Sequence, residues 1–169
     1  MKADLPEVEE STRIYRAIDV EKLLVIYQEN SFFEEEIAFA DSNFFEVLTY
    51  EFIAGNQATA LDQPFSVVLS DKIATKLFGS QNWLDKTIKI SSRFGEEEYQ
   101  VTGVFDSQKY RSHLSNDFYV AGNSGQIGRT YYDTQEWGAM NIYGTYVRLQ
   151  EGTDIAAFTT HLNLSLIHI

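Results

Sequence analysis

The stretch from Ile37 to Phe105 constrains the fold most, because two short helical patterns with readable start and stop signals alternate there with β-patterned segments. The spacing predicts a first helix from about Asn43 to Ala54. Asn43 with Glu46 three residues on fits a capping box, Phe44, Val47, Leu48 and Phe52 form one apolar stripe, and Gly55 supplies a left-handed residue past the end. A second helix follows the same logic. Ser70 caps it, Asp71 favours the positive end of the helix dipole, Ile73, Ala74, Leu77 and Phe78 face inward, and Gly79 closes it. Between the two, Ser66 to Leu69 is a short apolar run suited to a buried strand.

The flanking segments read as strands. Leu23 to Gln28 and Phe33 to Ala40, with Glu29, Asn30 and Ser31 between them, predict a β-hairpin in which Leu23, Val25 and Tyr27 share a face; Ile37 and Phe39 face the core. Thr87 to Ser91 and Tyr99 to Phe105 alternate across a turn at Ser92 to Gly95. Ile88 and Ile90 fall on one side of the first, and Tyr99, Val101, Gly103 and Phe105 on one side of the second. Tyr143 to Leu149 is a further β-run, and Asp154 to Leu162 has helical spacing at Ile155, Phe158 and Leu162. These elements predict an α+β fold. A mixed β-sheet with short helices forms a main lobe over residues 1–120, and residues 121–163 form a smaller second α+β lobe. Its Gly-rich opening, Ala121 to Gly138, reads as a subdomain junction or mobile loop. Residues 164–169 are an apolar tail, read either as the approach to a membrane segment or as a cloning remnant.

At 169 residues and 44% hydrophobic content the chain is long enough for one core, and its 12 Phe and 10 Tyr suit sheet packing and amphipathic contact surfaces. Only 13 Lys and Arg stand against 25 acids, for a net charge of −12. That balance excludes a phosphate-tracking surface for nucleic acid and disfavours docking on anionic lipid, while leaving a basic partner open. The absence of cysteine excludes disulfides, thiolate catalysis and Cys-ligated zinc.

The residues that tempt a chemical reading have simpler ones. Glu34, Glu35 and Glu36 beside Asp41 are the oxygen-donor type that a hard cation takes, yet alternation sends neighbours to opposite faces, so a solvated strand edge is the better reading. Glu96, Glu97 and Glu98 read as a surface turn. His113, His161 and His168 lack metal-site spacing; His113, beside Ser112 and near Asp106 and Asp117, reads as a structural hydrogen-bonding group in a loop, since sequence adjacency assembles no catalytic triad. Gly122, Gly125 and Gly128 do not match a phosphate-binding spacing, and no Walker-type loop is present for ATP. Trp83, Trp137, Tyr131 and Tyr132 read first as packing residues. Tyr131, Tyr132 and Trp137 are the candidate partner contacts; the reading assigns no catalytic residue, cofactor or metal.

The run FFEVLTYEFIAGN, then LDQPFSVVLSDKIATKLFG, WLDKTIKI, YQVTGVFDS and SHL, in this order, resembles the periplasmic core domain of MacB-like and FtsX-like ABC transporter permeases, with a fainter continuation in TYVRLQEGTDIAAF. The resemblance implies a non-catalytic extracytoplasmic domain lodged between two transmembrane helices of an inner-membrane permease. It implies contact with a cargo protein or peptide, or with a periplasmic adaptor, movement coupled to a separate ABC ATPase, and a full-length protein that is dimeric in the membrane. Matching residues such as Phe44, Phe45, Gly55, Ser66, Phe78, Gly79, Gly103, Val104, Ser112 and His113 look like fold determinants. No run approaches the length of a transmembrane helix, about 20 apolar residues, and no secretory signal is visible, so an excised domain is expected. A free-standing periplasmic ligand-binding or sensor module is the alternative, and a carboxylate-based hydrolase comes third.

Overall fold

The computed structural model describes residues 5–15, 22–80, 82–109, 113–126, 128 and 143–167. Ten strands form one mixed sheet: β1 (Val8–Tyr15), β2 (Leu23–Tyr27), β3 (Asn30–Glu34), β4 (Ile37–Ala40), β5 (Phe52–Gly55), β6 (Ser66–Ser70), β7 (Thr87–Ser92), β8 (Gly95–Phe105), β9 (Phe118–Ala121) and β10 (Tyr143–Leu149). Helices α1 (Phe44–Val47), α2 (Asp71–Phe78) and α3 (Ile155–Ile167) accompany them, and Gly125, Gln126 and Gly128 are also helical. The strand order is β10-β1-β4-β9-β6-β8-β7-β2-β3, with β5 added to the later half of β8. The β4–β9 and β6–β8 pairs are parallel and the others antiparallel, so the expected α+β mixed sheet is present.

Both faces of the central strands are covered, which explains why β4, β6 and β9 are buried at every position. On one face Ile73, Ala74 and Leu77 of α2 pack with Val25, Ile37, Phe39, Val67, Leu69, Ile88, Val101 and Val120. The other face carries an aromatic cluster of Phe44, Phe45, Tyr50, Phe105 and Tyr119, closed by Ala60 and Leu61. Helix α2 matches its sequence signals: the Ser70 hydroxyl accepts from Ile73 N, and Gly79 ends the helix at φ 81°.

Four local expectations are corrected. The first helix covers only Phe44–Val47, Leu48 turns extended, and Phe52–Gly55 is a strand. Tyr50 and Phe52 are drawn into the aromatic cluster, where tertiary packing overrides helix propensity. Asn43 makes no capping box; its amide instead donates to Ser11 O. The β2–β3 hairpin turns at Gln28–Glu29, with Gln28 at φ 53°, and ends at Glu34, while β4 leaves it to pair with β1 and β9.

Along β8 the alternation breaks at Thr102, because Val101 lies opposite Val67 and Gly103 opposite Val68. Tyr99, Val101 and Val104 therefore face α2, whereas Gly103 and Phe105 face the aromatic cluster. A Cβ on Gly103 would lie 2.5 Å from the Phe52 ring, so this glycine lets β5 close onto β8. In α3, Phe158 packs inward on Leu5 and Val8 and Leu162 lies against this small separate cluster, but Ile155 is exposed rather than inward. Of the segment expected as a second lobe, β10 is the strand paired with β1 in this same sheet, and α3 packs beside it.

Candidate functional site: the terminal junction and the loop base

The first and last described segments meet at one edge of the fold. Leu5, Val8 and Phe158 are buried together, with Val147, Leu149 and Leu162 against them. Gln150 joins both strands' ends, its backbone N–H donating to Glu7 O (2.9 Å) and its amide to Pro6 O (3.0 Å). Gly152 at φ 81° makes the turn into α3, whose first turn is held by Asp154 Oδ1 accepting from Ala156 and Ala157 N–H. From α3, His161 Nδ1 reaches Glu7 Oε1 at 3.1 Å. A hydrogen bond from its own backbone amide, and then the one from His161, hold the Glu7 carboxyl below the usual carboxylate range.

From this junction the β1–β10 ladder runs from Val8 opposite Leu149 to Tyr15 opposite Tyr143, about 24 Å at strand rise. Arg148 ties the ladder sideways, bonding Glu9 Oε2 (3.1 Å) and the Glu46 carbonyl at the end of α1 (2.8 Å). Its far end is the base of the glycine-rich segment. There the Tyr15 hydroxyl donates to Gly122 O at 2.7 Å, with Gly128 O at 3.3 Å, and its ring stacks on Phe39 and meets Tyr143 edge-on. Burial, with Tyr143 and Asp41 nearby, pushes the Tyr15 phenol far up, so it stays a hydroxyl donor.

Two further side chains fix the start of this segment. Ser124 Oγ accepts from Phe65 N at 2.7 Å, and Glu97 Oε1 accepts from Gln126 N at 3.2 Å. Two of the three glycines have steric work here. Gly125 sits at φ 61° where a Cβ would collide with the Glu97 carboxylate, and a Cβ on Gly128 would lie 2.6 Å from Gly122 O. A carboxylate already occupies the ground that an anion would need.

The structure separates the other sequence candidates. Asp41 is engaged by Arg13 through Nε and Nη2, both at 3.0 Å, and Glu35 pairs with Lys22 at 2.7 Å. Glu34 accepts from the amides of Glu35 and Glu36, so the acids form no shared cation site. Lys89 pairs with Glu96, and Glu97 accepts from Tyr99 OH as well as Gln126 N. His113 meets the Tyr146 hydroxyl, Asp117 pairs with Lys72, and Asp106 accepts from the Gln108 and Lys109 amides, so these three do not converge. Trp83 donates to Gly79 O and packs against the core. Ser112, His168, Tyr131, Tyr132 and Trp137 lie outside the described residues. Among the described residues no group of His, Asp and Glu is arranged to hold a metal, and no helix is long and apolar enough to cross a membrane. The Tyr15 and Ser124 anchors were missed from sequence; a tyrosine ending a strand and a serine among glycines carry no signal of such long-range bonds.

Residues 1–163 match the family described as the MacB-like periplasmic core domain. The chain belongs to this family. It is thereby a periplasmic domain of the MacB- and FtsX-like ABC transporter permeases, inner-membrane proteins that work with an ATPase. Three solved structures share its fold. A domain assigned to a permease protein of Porphyromonas gingivalis is 21% identical, with a TM-score of 0.73 over 98% of this chain and 72% of that one. The periplasmic region of MacB from Actinobacillus actinomycetemcomitans is 17% identical, with a TM-score of 0.66 over 97% and 71%. The extracellular domain of the ABC-type transporter YknZ from Gram-positive bacteria is 20% identical, with a TM-score of 0.58 over 91% and 72%. No curated protein matches the chain.

Proposed function

We propose that this MacB-like core domain catalyses no reaction of its own and works as a mechanical relay between the membrane helices of its permease and a partner in the periplasm. The observation that carries this reading is the β1–β10 ladder, in register from Glu10 to Tyr15 with one shift between Val8 and Glu10, which joins the terminal junction at one end to the anchored loop base at the other. A domain inserted between two membrane helices receives their movement through its two ends. With Leu5 packed on Phe158, those ends move together. A ladder of paired strands carries the displacement with little internal give, because alternate residue pairs exchange both backbone bonds along its length.

The partner is a periplasmic adaptor, or a cargo protein or peptide, and the ATP is hydrolysed by the separate ATPase. In this scheme the transporter has two arrangements of the domain whose free-energy difference nucleotide state and partner both bias. Tyr131, Tyr132 and Trp137 are the proposed contact residues, carried by the segment that leaves the loop base. The full-length permease is proposed to be a dimer. Replacing Tyr131, Tyr132 and Trp137 together by serine in the intact permease is expected to lower transport while basal ATP hydrolysis and the domain's melting temperature hold. Unchanged transport would remove this segment from the contact surface.

A further inference from the structure

The edge of the sheet opposite the terminal junction is open. Among the described residues no strand pairs with the outer side of β3. The two-residue turn sets Tyr27 opposite Asn30, and in such a hairpin alternate pairs exchange both backbone bonds. Asn30, Phe32 and Glu34 therefore bond inward to β2, and the N–H and C=O groups of Ser31 and Phe33 point outward. Past them the Glu34 carboxylate accepts from the Glu35 and Glu36 amides, both at 3.0 Å, which ends the open edge after those two residues. Edges are commonly blunted by charge, proline or a bulge; β3 has neither proline nor bulge, and its one charged residue, Glu34, stands at its far end.

The side chains carry the same message. β2, LLVIY, is apolar throughout, and β3 adds the adjacent Phe32 and Phe33, which place one ring on each face of the hairpin. One face is covered: Leu23 and Val25 are in the core and Phe32 packs against it, beneath the Lys76 ammonium. On the other face Leu24 lies opposite Phe33, and Phe33 is 67% exposed. An apolar strip thus runs alongside an unpaired backbone edge.

Charge selects the occupant. If a second copy added its own β3, the only antiparallel register using all the outward groups sets Ser31 of one chain opposite Phe33 of the other. By the same count the Glu29 turn of each copy comes beside the Glu34–Glu36 stretch of the other, where Lys22 offsets Glu35 and leaves the stretch net acidic, so acid meets acid at both ends by symmetry. A segment bearing Lys or Arg at those positions turns both into attractive pairs. We propose that β3 is an acceptor edge for strand addition by an extended, basic segment of a partner protein, with an apolar side chain beside Phe33 and cations towards Glu29 and the Glu34–Glu36 stretch.

This deepens the partner-contact reading and rests on it for the existence of a protein partner. The test uses the chain itself, so its failure leaves relay in the intact permease untouched. Two capped seven-residue peptides, Lys-Thr-Val-Thr-Val-Thr-Lys and Glu-Thr-Val-Thr-Val-Thr-Glu, which set the valines and the terminal charges on one face of a strand, are titrated into the chain while amide exchange is followed. The lysine peptide is expected to saturate and to protect the Ser31 and Phe33 amides, and the glutamate peptide to do neither. Ser31→Pro removes one outward N–H at an edge position that tolerates proline, and is expected to weaken binding about tenfold at unchanged melting temperature. Phe33→Ser, which leaves the backbone intact, is expected to weaken it as well. No saturable binding, equal binding of both peptides, or binding indifferent to both substitutions would overturn the proposal. So would a dimer of the chain that Ser31→Pro dissociates, since the edge would then belong to a second copy.

Discussion

Phe45→Ala tests the aromatic cluster and, with it, the corrected boundary of α1. The Phe45 ring is fully buried and meets Phe44, Tyr50, Phe52 and Tyr119 at centroid distances of 5.1, 5.2, 4.9 and 5.4 Å, each nearly edge-on. Deleting a buried phenyl group costs about 3 to 5 kcal/mol in transfer and cavity terms. Because an aromatic pair adds about 0.5 to 1.5 kcal/mol beyond area, four such neighbours place this site in the upper half of that range. A helix running to Ala54 would instead give Leu48 the central role and a loss of about 2 to 5 kcal/mol on truncation. In the structure Leu48 is only half-buried at the end of α1, which lowers the expected loss for Leu48→Ala to about 1 kcal/mol. Urea denaturation of both variants separates the two accounts. At a slope of about 2 kcal/mol/M, the Phe45→Ala midpoint falls by about 2 M and the Leu48→Ala midpoint by about 0.5 M. A Phe45→Ala loss below about 1 kcal/mol, or a larger loss for Leu48→Ala, would refute the cluster as the organiser of this face.

Ser70→Ala removes the hydroxyl that accepts from Ile73 N at a fully buried cap, and denaturant melts are expected to show a loss of about 1 to 2 kcal/mol. At the terminal junction, the Glu7 carboxyl is held below its unfolded value of about 4.3, so its contribution is present above that pH and is lost as pH falls through the folded value. The stability gap between the native chain and Glu7→Gln, followed by thermal melts from pH 7 to pH 3, is therefore expected to close on the acid side.

β6, α2 and β10 were legible because a local signal agreed with the tertiary outcome: Val67, Val68 and Leu69 are an apolar run in a strand buried throughout, and Ser70, Asp71 and Gly79 bracket α2 as their chemistry directs, whereas β1 and β9 were not expected as strands. The first helix misled because Asn43, Glu46 and Gly55 imitate a cap and a stop, while Tyr50 and Phe52 are claimed by rings that are distant in sequence, Tyr119 among them. The break in β8 was invisible for a similar reason: Thr102 bulges to bond the Ala60 and Val67 carbonyls, partners that periodicity does not encode. For the candidate site, the junction of Leu5, Glu7, Phe158 and His161 joins residues roughly 150 positions apart, and no short-range pattern announces it.

The relay itself is tested most directly by loosening its connection to the membrane. Six Gly and Ser residues inserted between Gly152 and Thr153 of the intact permease leave the β1–β10 ladder in place while freeing α3 from the strand that precedes it. The account predicts that transport falls to background, that basal ATP hydrolysis persists and that the domain's melting temperature is unchanged. Transport at the native rate with this flexible insertion would contradict it, because movement would then reach the partner without passing through the junction.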